Sequence, residues 1–405
     1  MKEEIYLEDL INNLDGTVVK LNPKFLRCLL SNAAKSDKPW RNKEFAKKLG
    51  VSWNIQRNFS ATIYVWFNGK RNISLIFLKK IMKLSNYTWK DIENNLIGIT
   101  ANTNKGCVYL KFPIVIGEEL GSIVGYILGD GCIRTKTFQV YFSNKNKELL
   151  KDFENKIFDI FRIKPTIWCK GWNKEGKYKY IGMFASIKDI QEDTDTILCY
   201  PTIVGKILLT IFRKFSLGKH KELTEEISNT NLEFKRGFVR SFYDSEGSVK
   251  INSYVISIAQ DSYTILEKLG RILLEFKVEP NKLSYFIQQK KRYFFTISGY
   301  DNLLNFLENI GFRSSTKLKR LETLVSKIRK SKRFKLRHGV TKCNIIDLLK
   351  INKSLTESEL SILLRQKFPR LKWCHQTINN HLRDLKKSRF IVKDGNSYRL
   401  TVKNV

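Results

Sequence analysis

Two short stretches hold residue types whose spacing could do chemistry: "IVGYILGDGCI" at 123–133 and "VRSFYDSEGSV" at 239–249. Each carries small residues in an apolar setting and ends on an acid followed by glycine, Asp130-Gly131 in the first and Glu246-Gly247 in the second. Glycine within a helix costs about 1 kcal/mol relative to alanine, so Gly125 and Gly129 need a reason to be there. Two helices whose backbones approach closely supply one, and such packing would set Asp130 and Glu246 side by side. Paired carboxylates repel, and one of them would have to take up a proton. A divalent cation removes the conflict, and hard oxygen ligands suit Mg²⁺. A carboxylate pair holding metal beside a phosphodiester is suited to metal-assisted hydrolysis, and both acids are therefore candidate metal ligands and catalytic residues.

The elements that would position the acids repeat. After the first motif the chain runs "FQVYFSNKNKELLKDFENKIFDIFRIKP", and after the second "SYVISIAQDSYTILEKLGRILLEFKVEP". Both read as strand, polar corner, amphipathic helix and an extended segment. Strand-like pairs follow, "TIWCKGW" with "YKYIGMFASI" and "KLSYFIQQ" with "KRYFFTISG", and each half closes on a helix, 204–215 and 301–310. The pattern is αββαββα twice, an α+β fold, with halves at 110–220 and 221–325. A matched motif with a matched downstream pattern marks an internal duplication.

The 405 residues hold 73 Lys+Arg against 39 Asp+Glu, a formal net charge of +34, which points to a polyanion as partner. The chain lacks an apolar run long enough to span a bilayer, and "MKEEIYLEDL" is too acidic for a signal peptide, so nucleic acid is favoured over membrane and a cytoplasmic, nucleoid-associated protein is expected. Seven scattered cysteines form no C-x-x-C pair, and small buried apolar roles are expected of them.

Residues 1–105 read as a mostly helical domain. "KEFAKKLGVSW" and "ATIYVWFNGKRNISLIFLKKIMKL" show helical spacing at Phe45, Ala46 and Leu49, then at Ile63, Trp66 and Phe67. The pair resembles a helix-turn-helix whose second helix enters the major groove, with Lys70 and Arg71 on the phosphates. Residues 326–339 form a basic linker that includes Arg333, suited to lie along phosphates. Residues 340–405 read as three helices and a hairpin over Asp394-Gly395, with Thr356 and Glu359 as a capping box. This resembles a winged helix-turn-helix whose third helix offers His375, Gln376, Asn379, Asn380 and Arg383 to DNA.

The duplicated middle resembles the LAGLIDADG, or DOD-type, homing endonucleases over roughly 110–325. The resemblance implies motif helices at the interface between halves, with Asp130 and Glu246 as the ligands of catalytic Mg²⁺. It also implies two curved sheets forming a saddle over double-stranded DNA. Arg134, Lys136, Lys250, Gln288 and Lys290 are the expected DNA contacts there. Asn144 and Gln260, at matching offsets after the motifs, would orient water, and Lys179 and Lys291 would approach the scissile phosphates. The first motif has Leu128 where many members carry another acid. The second has Ser241 where glycine is common, and its Asp244 is expected as a structural hydrogen-bonding group. Many members sit inside inteins. A chain that begins with Met and ends "VKNV", without a terminal His-Asn, is expected to be freestanding, encoded in an intron or alone.

The implied function is a monomeric, Mg²⁺-dependent, site-specific double-strand DNA endonuclease. A non-cleaving DNA-binding regulator on the same scaffold is the second reading, and an RNA maturase the third. RNA stays open as a partner because a basic sheet binds either polymer.

Overall fold

The computed structural model describes residues 2–14, 16–101, 107–172, 178–191, 193–287, 291–330, 341–367 and 375–401. The chain divides into two compact units, residues 1–120 with 131–220 and residues 121–130 with 221–405. Among the described residues no helix is long and apolar enough to cross a membrane.

The first unit opens with helices Pro23–Ala34, Lys43–Leu49, Ala61–Phe67 and Leu75–Met82. Asn22 caps the first of these through Lys24 N, and Pro23 starts it where a missing N–H is harmless. Gly50, at φ +73°, ends the second in the left-handed conformation that glycine adopts at least cost. The region is less purely helical than its sequence suggests. Thr17–Leu21 forms a sheet with Ile73–Ser74 on one side and Leu96–Ala101 on the other. Thr17 pairs with Ala101, so no turn joins these strands to announce them. The expectation that the cysteines are buried fails for Cys28, which is exposed on the solvent side of a helix whose Leu26, Leu29 and Leu30 are buried. Cys107 and Cys132 are half-buried, and Cys374 lies outside the described residues.

The first half continues with a sheet in which Gly131–Ile133, Val140–Asn144, Asp195–Tyr200, Thr166–Trp172 and Tyr178–Phe184 are successive neighbours. Helix Lys147–Phe161 packs on it through Phe153, whose ring lies 4.6 Å from that of Phe142. In the second half the order is Gly247–Lys250, Val255–Gln260, Lys291–Ser298, Ser284–Ile287. Ile256 faces Ile297 and Ile258 faces Phe295, all buried, so this sheet turns one face to the core. Comparing the two orders identifies Asp195–Tyr200 as the counterpart of Lys291–Ser298. Tyr178–Phe184 is an added edge strand, and Lys179 on it is not the positional equivalent of Lys291. The Asp195 strand escaped detection because its residues from Thr196 to Tyr200 are all buried, which erases the alternation expected of a half-exposed strand.

The last region of the second unit comprises helices Lys342–Asn352, Glu357–Lys367 and His375–Lys387, with a sheet ordered Ser354–Thr356, Ser397–Leu400, Ile391–Asp394. The expected capping box forms: Thr356 N donates to Glu359 Oε2 at 2.7 Å. This region docks on Glu279, whose Oε2 accepts from Lys342 N at 2.9 Å, and Leu274 joins its apolar core.

Within the second unit, the first motif helix, Glu118–Leu128, which belongs here from Gly121 onward, lies along the second, Leu232–Glu246. A Cβ added at Gly121 would collide with the Phe234 carbonyl, one at Gly125 with the Phe238 carbonyl, and one at Gly129 with the Ser245 side chain. Ser241 Cβ lies 3.1 Å from the same Gly125 position, so serine is small enough to serve where glycine was expected. The contacts fall every four residues on the first helix, at 121, 125 and 129, and at 234, 238, 241 and 245 on the second, which is ridge-to-groove packing with the spacing reduced by missing side chains. Gly125→Val should lower stability by about 3 kcal/mol through overpacking, read as a drop in the urea midpoint at unchanged slope. An unchanged midpoint would show that the helices do not meet here.

Candidate active site at the ends of the motif helices

The first helix stops at Leu128, two residues before Asp130, and the second stops at Glu246; both acids are half-buried. A helix C-terminus carries partial negative charge, an unfavourable place for an acid. Burial raises the Glu246 carboxyl above its usual range, and the Asp130 charge raises it further. The Gln260 amide, Lys221 and Arg292 act in the opposite direction.

Two lysines offset the charge at the helix ends. Lys221 Nζ donates to the Gly129 carbonyl at the end of the first motif helix. Lys317 Nζ donates to three carbonyls at the end of the second: Tyr243 at 3.2 Å, Asp244 at 2.5 Å and Gly247 at 2.7 Å. Burial pushes the Lys317 ammonium below its usual range, while Asp244, Asp130 and Glu246 draw it back up. Asp244, 2% exposed, is tied to backbone. Its carboxylate accepts from Arg313 N at 2.8 Å and Ser314 N at 3.0 Å, joining the motif helix to the start of helix Ser315–Lys330.

The structure thus gathers Asp130, Glu246 and Gln260, and adds Lys221, Lys317 and Arg292, which the sequence did not single out. Lys221 and Lys317 each follow the closing helix of a half, in "GKHKE" and "SSTKLKR". That shared position was the available signal, hidden among so many lysines. Arg292 sits 3.3 Å from Asp261 and also reaches the Ala259 carbonyl. Lys291 is elsewhere: its ammonium lies 4.2 Å from the Tyr285 ring centre and 5.2 Å from that of Tyr293. Asn144 ends its strand and accepts from Asn146 N at 2.9 Å. Lys70, Arg71, Lys136, Lys250, Gln376 and Arg383 are exposed, and Asn379 is half-buried. Arg134 is exposed too, its guanidinium 4.1 Å from the Tyr141 ring centre. Gln288, Lys290 and Arg333 lie outside the described residues, as does the Lys179 side chain. Among the described residues no group of three or more His, Cys, Asp or Glu gathers to hold a metal.

The stretch that begins with the second motif helix and runs past its sheet matches a known family across residues 233–311. It is a LAGLIDADG-like domain. The replication factor C small subunit of Methanocaldococcus jannaschii is 25% identical over 245 residues, covering 58% of this chain and 12% of that protein. The chain spans between 12% and 22% of the length of the curated relatives it matches. Among solved structures, the homing endonuclease I-DmoI in complex with DNA and Mn shares 15% identity at a TM-score of 0.34. That likeness covers 49% of this chain and 98% of I-DmoI. Full-length WhiA from Thermatoga maritima shares 15% identity at a TM-score of 0.34, covering 67% of this chain and 90% of WhiA.

The LAGLIDADG-like domain therefore contributes Glu246, Gln260 and Arg292, and the first motif helix brings Asp130 to it. The raised Glu246 carboxyl has a consequence for stability. The folded state binds this proton more tightly than the unfolded chain does, so ionising Glu246 weakens the fold as pH rises past the ordinary 4.5. Glu246→Gln should be more stable than wild type at pH 7, and the gain should vanish below the ordinary glutamate pKa. Urea unfolding across that pH range reads both; a variant less stable at pH 7 would overturn the repulsion.

Proposed function

We propose that the protein is a site-specific endonuclease that hydrolyses phosphodiesters of double-stranded DNA. The observation that carries this reading is the meeting of Asp130 and Glu246 at the ends of two closely packed helices, inside a ring of cations. A protein seeking only stability would not place two acids there. The residues fit a divalent cation such as Mg²⁺: the repulsion that lifts the Glu246 carboxyl is the conflict a cation relieves. With only two carboxylates, most of the cation's shell would be left to water and phosphate oxygens. When bound, such an ion supplies Lewis-acid activation and charge neutralisation at the phosphate.

The chain's own groups have separate tasks. Asp130 and Glu246 would hold the ion, and a remaining oxygen of the ionised Glu246 carboxylate would accept a proton from an attacking water. Gln260, on the strand paired to the one following the motif, favours the ionised form of Glu246. Lys221 and Lys317 keep the helix ends from repelling a phosphate, because they neutralise carbonyl charge where the backbone would present it. Arg292 adds a fixed cation on the neighbouring strand.

The flanking regions extend the interaction with DNA. The order helix, strand, helix, helix and hairpin at the C-terminus is that of a winged helix-turn-helix. Its third helix exposes Gln376 and Arg383, both hydrogen-bonded to Asn380 Oδ1. In the N-terminal region, Lys70 and Arg71 at the Gly69 turn would meet phosphates.

The test incubates purified protein and Mg²⁺ with total genomic DNA and sequences the newly formed ends. Paired breaks at one or a few sites, lost with EDTA, are expected. Asp130→Asn and Glu246→Gln should each slow cutting by at least about a thousandfold while binding persists. Binding to discrete sites without breaks in the wild type would leave a non-cleaving regulator instead. Affinity should also fall steeply with salt, because many phosphates are neutralised; a flat salt profile would rule out extended DNA contact.

A further inference from the structure

Helix Ala61–Phe67 stands where a helix-turn-helix protein places its base-reading helix, yet its sequence is ATIYVWF. It holds no Arg, Lys, Asn or Gln, the side chains that pair with base edges, and it buries Ile63 and Trp66. The polar groups lie just before it. Residues 54–59 close into a tight hairpin: Asn54 N donates to the Phe59 carbonyl at 3.0 Å, and Phe59 N returns to Asn54 O at 3.3 Å. Asn54 Oδ1 accepts from Arg57 N at 2.9 Å, and Asn58 takes a φ of +49°.

The base of the hairpin is anchored in aromatic packing. Ser60 N donates to the Trp40 carbonyl at 2.8 Å, Phe59 meets Tyr64 edge-on, and Trp40 packs against both Tyr64 and Phe67. At the tip stands Ile55, 83% exposed, the most exposed large apolar residue among those described. Gln56 and Arg57 beside it are exposed too. The surrounding segment, residues 38–71, holds eight lysines and arginines and a single acid, Glu44, already paired with Lys48.

We propose that this hairpin is a DNA wedge: Ile55 inserts between adjacent base pairs from the minor groove while Arg57 and the neighbouring bases hold phosphates. A polyanion suits the charge. In the minor groove, which presents no thymine methyl, the apolar surface that would accept one lone aliphatic side chain lies between stacked bases. Apolar wedges of this kind unstack a step and kink the duplex by about 20–90°. An anchored hairpin is suited to the task because it loses little freedom on insertion. The helix behind it then acts as a support for the hairpin rather than as a reader.

The wedge does not depend on cleavage, so the test uses the full chain carrying Asp130→Asn. Duplexes selected by this protein from a random-sequence pool are labelled with 2-aminopurine at each step in turn, and with end dyes that report bending. A fluorescence rise at one step, together with a bend, is expected. Replacing Ile55 with Ala should remove both and weaken binding about tenfold, with thermal stability unchanged. Ile55→Met should keep the rise, and Arg57→Gln should lower affinity without removing it. No rise at any step, a rise that survives Ile55→Ala, or failure to select any duplex would overturn the proposal. So would recovery of a protein partner through Ile55 with DNA binding indifferent to it.

Discussion

Backbone-to-backbone contact between the motif helices is the constraint on which the rest depends. Carbonyls of Phe234 and Phe238 occupy the space that side chains at Gly121 and Gly125 would fill, and Ser245 does the same at Gly129. This fixes both the distance between the helices and their register. A slide of one residue would set a side chain against a carbonyl. The register in turn brings Asp130 and Glu246 close enough for the charge of the first to act on the carboxyl of the second.

Electrostatics then finishes what packing begins. Acids at two adjacent helix ends face each other and the negative ends of both helices. The protein answers with cations bonded to the backbone carbonyls of both helix ends. Lys221 holds one helix end and Lys317 the other. These bonds take up backbone charge that would otherwise add to the repulsion between Asp130 and Glu246.

Much of the site was legible because it repeats. A motif that recurs after 116 positions, from Asp130 to Glu246, with the same downstream pattern leaves little choice about which acids matter. The strands of the second half were legible from alternation at Ile256, Ile258, Phe295 and Ile297. Three things were not. Asp195–Tyr200 hid because it is buried on both faces, and the N-terminal sheet because Thr17 finds its partner at Ala101. Lys221, Lys317 and Arg292 hid because a chain with 73 lysines and arginines gives no single one prominence. What distinguishes them is a hydrogen bond or a burial, which depends on the folded backbone.

Asp244 and Glu246, two positions apart, have opposite relations to genetic drift. Asp244 accepts two backbone hydrogen bonds, so its loss would unsettle the fold whether or not the protein does chemistry. Glu246 opposes folding by its charge, so substitutions there tend to be tolerated or even favoured once activity ceases to matter. In a lineage released from selection for function, Glu246 would disappear early and Asp244 late. A chain that still carries Glu246 together with Asp130 has kept a costly pair that structure alone would let go.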